Sequence, residues 1–187
     1  MTLLRRVFLL LIAASTLFVP LGGFAQAPAT ILLIRHAEKL TDGQIDLSPT
    51  GFERAKLLPQ LFVPGHIPAL PTPQVLFATH QSKHSNRPVQ TITPLSVTLH
   101  LPIDNTIEND NYTELAQKLL SGQYAGKVVL VAWHHGNLPA LATALGATLP
   151  YAKWPDTQFD RVWKIDYKNN KAILTDMPQN LMPGDSN

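Results

Sequence analysis

Ile31-Leu32-Leu33-Ile34-Arg35-His36-Ala37-Glu38-Lys39 joins an unbroken apolar run to an abrupt cluster of charge. Apolar side chains at every position suit a parallel strand covered on both faces. The charge that follows marks its carboxyl end, which is where open α/β sheets place their ligand sites. Arg35 offers a planar cation for an oxyanion, and His36 an imidazole able to attack or to accept a proton.

A second strand of the same kind, Val128-Val129-Leu130-Val131-Ala132-Trp133, ends in His134-His135-Gly136-Asn137. Between the two, Ser48 followed by Pro49 is a helix start, and Phe52, Ala55 and Leu58 continue it at helical spacing. Five prolines between Pro59 and Pro73 predict an ordered surface loop, after which Gln74 to Ala78 forms a strand. The spacing predicts a helix beginning near Arg87, bent by Pro94 or holding it in its first turns. A second helix is expected over Tyr112 to Leu120, and a third over Leu138 to Leu145. Arg161 to Tyr167 and Lys171 to Thr175 alternate like a hairpin around Asn169-Asn170. Alternation of this order predicts an α/β fold: a three-layer sandwich with a mainly parallel central sheet flanked by helices.

The first 27 residues read differently. Arg5 and Arg6 precede the apolar run Val7 to Val19, and small residues follow, the pattern of a secretory signal cleaved after Ala25 or Ala27. Residues 1–27 are therefore expected to be a signal peptide and residues 28–187 the domain, periplasmic or secreted, without stable membrane insertion after cleavage. An uncleaved anchor is the alternative. Two of the 15 Lys and Arg lie in this leader, which has no Asp or Glu, so the remainder holds 13 basic against 13 acidic residues. Such a balance gives no electrostatic case for a nucleic-acid partner. The absence of cysteine excludes disulfides, thiolate metal sites and cysteine nucleophiles.

If both strands lie parallel in one sheet, Arg35-His36 and His134-His135 emerge on one edge, with Arg87 at a helix start beside them. Guanidinium forks and a helix N-terminus suit a tetrahedral dianion. Alternation beyond Trp133 is expected to turn His134 away from this edge and to leave His135 facing it. His135 is the expected phosphate ligand because Gly136-Asn137 follows it, and His134 the expected packing residue.

Arg35-His36-Ala37-Glu38-Lys39, Leu47-Ser48-Pro49-Thr50-Gly51 with Arg54-Ala55, Arg87 with Gln90-Thr91, and His135-Gly136-Asn137 together resemble the ordered signature of the histidine phosphatase superfamily, which includes phosphoglycerate mutases and histidine acid phosphatases. The resemblance spans nearly all of the chain after the leader. It implies a phosphoglycerate mutase-like fold, His36 as a nucleophile forming phosphohistidine, and Arg35, Arg87 and His135 as ligands of the phosphoryl group. It implies no metal and no cofactor. The acid that protonates the leaving group is expected in the loop after the Arg87 helix: Glu108 first, with Asp104 and Asp110 as alternatives. The chain departs from the family pattern in having Ala37 where glycine is usual, and in the extra residues Gln81 to Asn86 before Arg87.

The expectation is thus an exported, metal-independent phosphoric monoester hydrolase acting on a small-molecule or envelope phosphate. A catalytically silent phosphate-binding module of the same fold is the alternative. Arg54 is expected as a helix-surface ion pair, Glu38 and Lys39 as a solvated pair, and the three tryptophans as packing. His80 and His84 invite a metal reading, but Gln81-Ser82-Lys83 between them is more loop-like than helical.

Overall fold

The computed structural model describes residues 27–40, 43–169 and 171–186. The leader therefore lies outside the described residues, apart from Ala27. Among the described residues no helix is long and apolar enough to cross a membrane.

Strands β1 (Thr30–Arg35), β2 (Val75–Ala78), β3 (Ile103–Asp104), β4 (Val128–Trp133), β5 (Arg161–Lys168) and β6 (Lys171–Pro178) form one sheet in the order β3-β2-β4-β1-β5-β6. The first four of that order run parallel, while β5 lies antiparallel to β1 and β6 antiparallel to β5. Helices α1 (Pro49–Leu57), α2 (Arg87–Leu99), α3 (Tyr112–Leu120) and α4 (Leu138–Ala144) complete the α/β architecture.

The uninterrupted apolar runs are explained by two cores, one on each face. Ile31, Leu33, Val129 and Val131 pack with α3 and α4 residues such as Leu115 and Leu141. Leu32, Ile34, Leu130 and Ala132 pack on the other face with Ile92 and Leu95 of α2 and with Leu58. All four β1 residues are fully buried, and each such side chain contributes roughly 1.5–3 kcal/mol by leaving water.

Local chemistry sets the helix starts. Ser48 Oγ accepts the Gly51 N–H at 3.1 Å, capping α1, and Pro49 occupies the first turn, where no N–H is needed. A Cβ at Gly51 would stand 2.2 Å from the Glu38 carbonyl oxygen, so glycine is what lets α1 press against the segment after β1. Helix α2 runs through Pro94 rather than ending at it. The proline-rich segment opens with a 3₁₀ turn over Leu58–Phe62 that buries Leu58 and Leu61.

Candidate active site

The β1–β4 register pairs Arg35 with Trp133, and the His36 N–H donates to the Trp133 carbonyl at 3.1 Å. The next residues of the two strands, His36 and His134, therefore stand side by side. Their rings meet edge to face with centroids 5.2 Å apart. This corrects the expectation that His134 turns away from the edge that carries His36. Alternation does separate the two histidines, but its phase is set by pairing with β1, and that turns His134 inward. His135 instead engages the 155–159 loop, with Nε2 2.9 Å from Asp156 Oδ1, and its Nδ1 is buried without a partner.

His36 is 2 % exposed. Its Nδ1–H donates to the Ala37 carbonyl at 2.7 Å, because a carbonyl can only accept; Nε2 is left with the lone pair. Burial lowers its pKa to about 2. His134, Arg35 and Arg87 push in the same direction, and the Ala37 carbonyl opposes them. The imidazole is thus neutral, the form a nucleophile needs. Burial, aided by Arg87, His135 and Arg35, likewise lowers His134 to about 4.

Arg35 is 1 % exposed and remains a cation at neutral pH, although burial brings its pKa to about 10. One terminal nitrogen, Nη1, donates to the carbonyls of Pro155 (3.2 Å), Asp156 (2.7 Å) and Gln158 (3.1 Å). The guanidinium carbon lies 3.8 Å from the Phe159 ring centroid. Arg35 therefore fastens the 155–159 loop with one edge, while its buried Nε–H has no partner.

Arg87 opens α2 and donates through Nη1 to the Gln44 carbonyl at 2.8 Å; its Nε–H is also buried without a partner. With His134, His80 and His84 it lines a cleft of about 410 Å³. The Arg87 cation and the His134 imidazole on the cleft wall suit an oxyanion, with the Arg35 cation behind them near His36. The one N–H of His36 is committed to Ala37, and neither Arg35 nor His36 is among the residues lining the cleft.

The three candidate acids separate clearly. Asp104 is committed to Lys118 Nζ at 2.6 Å and to Thr106. Asp110 accepts from Asn137 Nδ2 at 2.9 Å and from Asn109. Glu108 lines the cleft with Arg87 and His134, as Asp110 also does, but the exposed Glu108 carboxyl has no hydrogen-bond or ion-pair partner among the described residues. Its loop is pinned to the end of β4 by Trp133 Nε1 and Asn137 Nδ2, both donating to the Asn109 carbonyl.

Arg54 is a buried strut rather than a surface pair, and Glu38 is half-buried against it rather than solvated. The guanidinium pairs with Glu38 and Asp185, each at 2.8 Å, tying the segment after β1 and helix α1 to residues 181–186. Neither Thr91 nor the 155–159 loop figured among the expected site residues, yet both touch the site.

No family model matches the chain, and no curated protein does. Among solved structures it is similar to a provisionally assigned alpha-ribazole-5'-P phosphatase from Escherichia coli. That match has TM-score 0.53 and 16 % identity over 81 % of this chain and 97 % of the other. It is also similar to the protein histidine phosphatase SixA complexed with tungstate, with TM-score 0.50 and 15 % identity over 80 % of this chain and 97 % of the other. The chain thus has the histidine phosphatase fold, the phosphoglycerate mutase-like α/β architecture expected from its motifs.

Proposed function

We propose that this chain, built on the histidine phosphatase fold, is a phosphatase that hydrolyses a phosphomonoester or related phosphoryl bond through a phosphohistidine on His36. The observation that carries the proposal is the state of His36: buried, neutral, its Nδ1–H tied to the Ala37 carbonyl and its ring against His134.

His36 Nε2 attacks phosphorus, forming a P–N bond as the P–O bond to the leaving group breaks. Glu108 acts as the acid that gives a proton to the departing oxygen. Water then attacks the phosphohistidine, Glu108 takes its proton, the P–N bond breaks, and inorganic phosphate leaves. A phosphomonoester is among the slowest biological esters to hydrolyse, so charge stabilisation on the equatorial oxygens is the main requirement. Arg87 and His134, which line the cleft, take this role in our reading, with the buried Arg35 cation near His36 adding to the field. No step in this scheme calls on a metal or cofactor. The leader-like first 27 residues support an exported enzyme acting on a small-molecule or envelope phosphate.

Hydrolysis of an aryl phosphate by the purified protein, with and without chelator and beside His36→Ala, tests the proposal. Chelator-resistant activity that vanishes in the variant is expected, together with inhibition by tungstate, the oxyanion bound by the SixA protein. A folded protein that binds tungstate and hydrolyses nothing would point instead to a silent phosphate-binding module.

A further inference from the structure

Thr91 lies in the second turn of α2 and is 2 % exposed. Its hydroxyl oxygen accepts the Ala37 N–H at 2.9 Å and donates its own proton to the Arg87 carbonyl at 2.8 Å. Only a hydroxyl can do both at one atom. Helix α2 has two further threonines, Thr93 and Thr98, that donate to the carbonyl four residues back, at 2.8 and 2.9 Å. Both are exposed, and among the described residues neither accepts from another element. Back-bonding to the preceding turn is ordinary for a helical threonine. Reaching across to the residue beside the candidate nucleophile is not.

Ala37 is held at both of its polar groups. Its N–H goes to Thr91, and its carbonyl receives the His36 Nδ1–H that leaves Nε2 unprotonated. Thr91 thus holds the residue that selects the His36 tautomer, and its other bond lands on the backbone of Arg87. The neighbouring positions strengthen the same seam: Gln90 accepts the Leu47 N–H at 2.9 Å and donates to Asp46 at 2.7 Å. These contacts fasten α2 to the loop, but they do not touch Ala37.

We propose that Thr91 is a positioning residue whose hydroxyl fixes the Ala37 peptide and the Arg87 turn in one frame, setting the His36 tautomer and the place of the Arg87 guanidinium together. This rests on His36 being the nucleophile. Without the hydroxyl, the Ala37 N–H is left buried and unpaired, Ala37 is free to turn, and its carbonyl no longer retains the Nδ1–H. A proton on Nε2 would then block attack.

The test uses the full chain as wild type, Thr91→Val and Thr91→Ser. It combines ¹⁵N NMR of the histidine rings at neutral pH with kcat and KM for an aryl phosphate. Wild type is expected to carry the His36 proton on Nδ1. Thr91→Val, which keeps the shape and loses the hydroxyl, should shift His36 toward the Nε2–H form and lower kcat on the order of 10- to 100-fold with little change in KM. Thr91→Ser should restore both. Thr91→Val with a wild-type tautomer and kcat, however much less stable, would overturn the proposal, as would a Thr91→Ser as damaged as Thr91→Val. So would a wild-type His36 protonated on Nε2, a result that needs no variant to fold. Activity retained by His36→Ala would sink the nucleophile assignment instead, while the NMR arm still reports whether Thr91 controls the ring.

Discussion

His36 and His134 stand in edge-to-face contact at 5.2 Å because each follows one member of the Arg35–Trp133 register pair. Two parallel strands that end in step deliver their next side chains to the same place, so a histidine from β1 meets a histidine from β4 without any loop having to bend toward the site. Both rings are kept neutral mainly by burial, with the two arginines adding to it.

That contact separates His134 from His135 by experiment. His134→Gln removes the imidazole packed against the His36 ring, and kcat for an aryl phosphate is expected to fall roughly 10²- to 10³-fold, the usual worth of one electrostatic donor. His135→Gln breaks the bond to the exposed Asp156 carboxylate, and a change of less than about tenfold is expected. Steady-state kinetics on the two purified variants decides; the reverse ranking would return the phosphoryl group to His135.

Glu108 faces the cleft with an unpaired carboxyl, so its contribution should depend on the leaving group. An aryl oxygen departs as a stabilised anion and needs little proton donation, whereas an alkyl oxygen needs it. Glu108→Gln is expected to lower kcat about 10²- to 10³-fold for an alkyl phosphate and far less for a nitrophenyl ester. Equal losses on both substrates would mean that Glu108 acts through binding rather than as an acid.

Much of this arrangement is legible from the chain before any coordinates. Strands β1 and β4 announce themselves because burial on both faces forces a continuous apolar run, and the abrupt charge after each marks the site edge. Strand β3 does not, since its two residues, Ile103 and Asp104, are too few to show a period. The alternation after Trp133 misplaces His134, which stands against His36 instead of turning away, because one strand alone cannot give the phase; that requires the partner's register. Arg54 looks like any helix-surface arginine because its second carboxylate, Asp185, lies 131 positions away. The 155–159 loop binds Arg35 through backbone carbonyls, which every residue type possesses and which leave no mark in the sequence.

Gly51 tests how tightly α1 must sit on the segment that follows His36. Gly51→Ala places a Cβ 2.2 Å from the Glu38 carbonyl oxygen, a backbone atom that cannot swing aside. Either α1 or the Ala37–Glu38 backbone must give way. A stability loss of about 1–3 kcal/mol is expected from this overpacking, with a drop in kcat as Ala37 moves relative to His36. Chemical denaturation and steady-state kinetics report the two effects; wild-type values for both would show that the helix retreats at no cost.

The neutral histidines also fix the direction of the pH dependence. His36 and His134 have pKa values lowered from 6.5 to about 2 and about 4, chiefly by burial. In the unfolded chain both protonate near 6.5, so below that pH the unfolded state binds more protons than the folded one, and stability must rise with pH across this window. Stability from these groups is fully present above about pH 6.5 and is lost as pH falls toward 4 and below. Thermal melts of the wild type should therefore show Tm falling between pH 6.5 and 4, and His36→Asn, which has nothing to protonate there, should flatten that slope. The rate follows a different rule. Attack needs only neutral His36, so kcat/KM should carry no acid limb near the ordinary histidine pKa that originates from His36. Wild type and His36→Asn with identical Tm slopes, or a His36 ring found by NMR to titrate near 6.5, would show that the nucleophile is solvated and that burial does not set its charge.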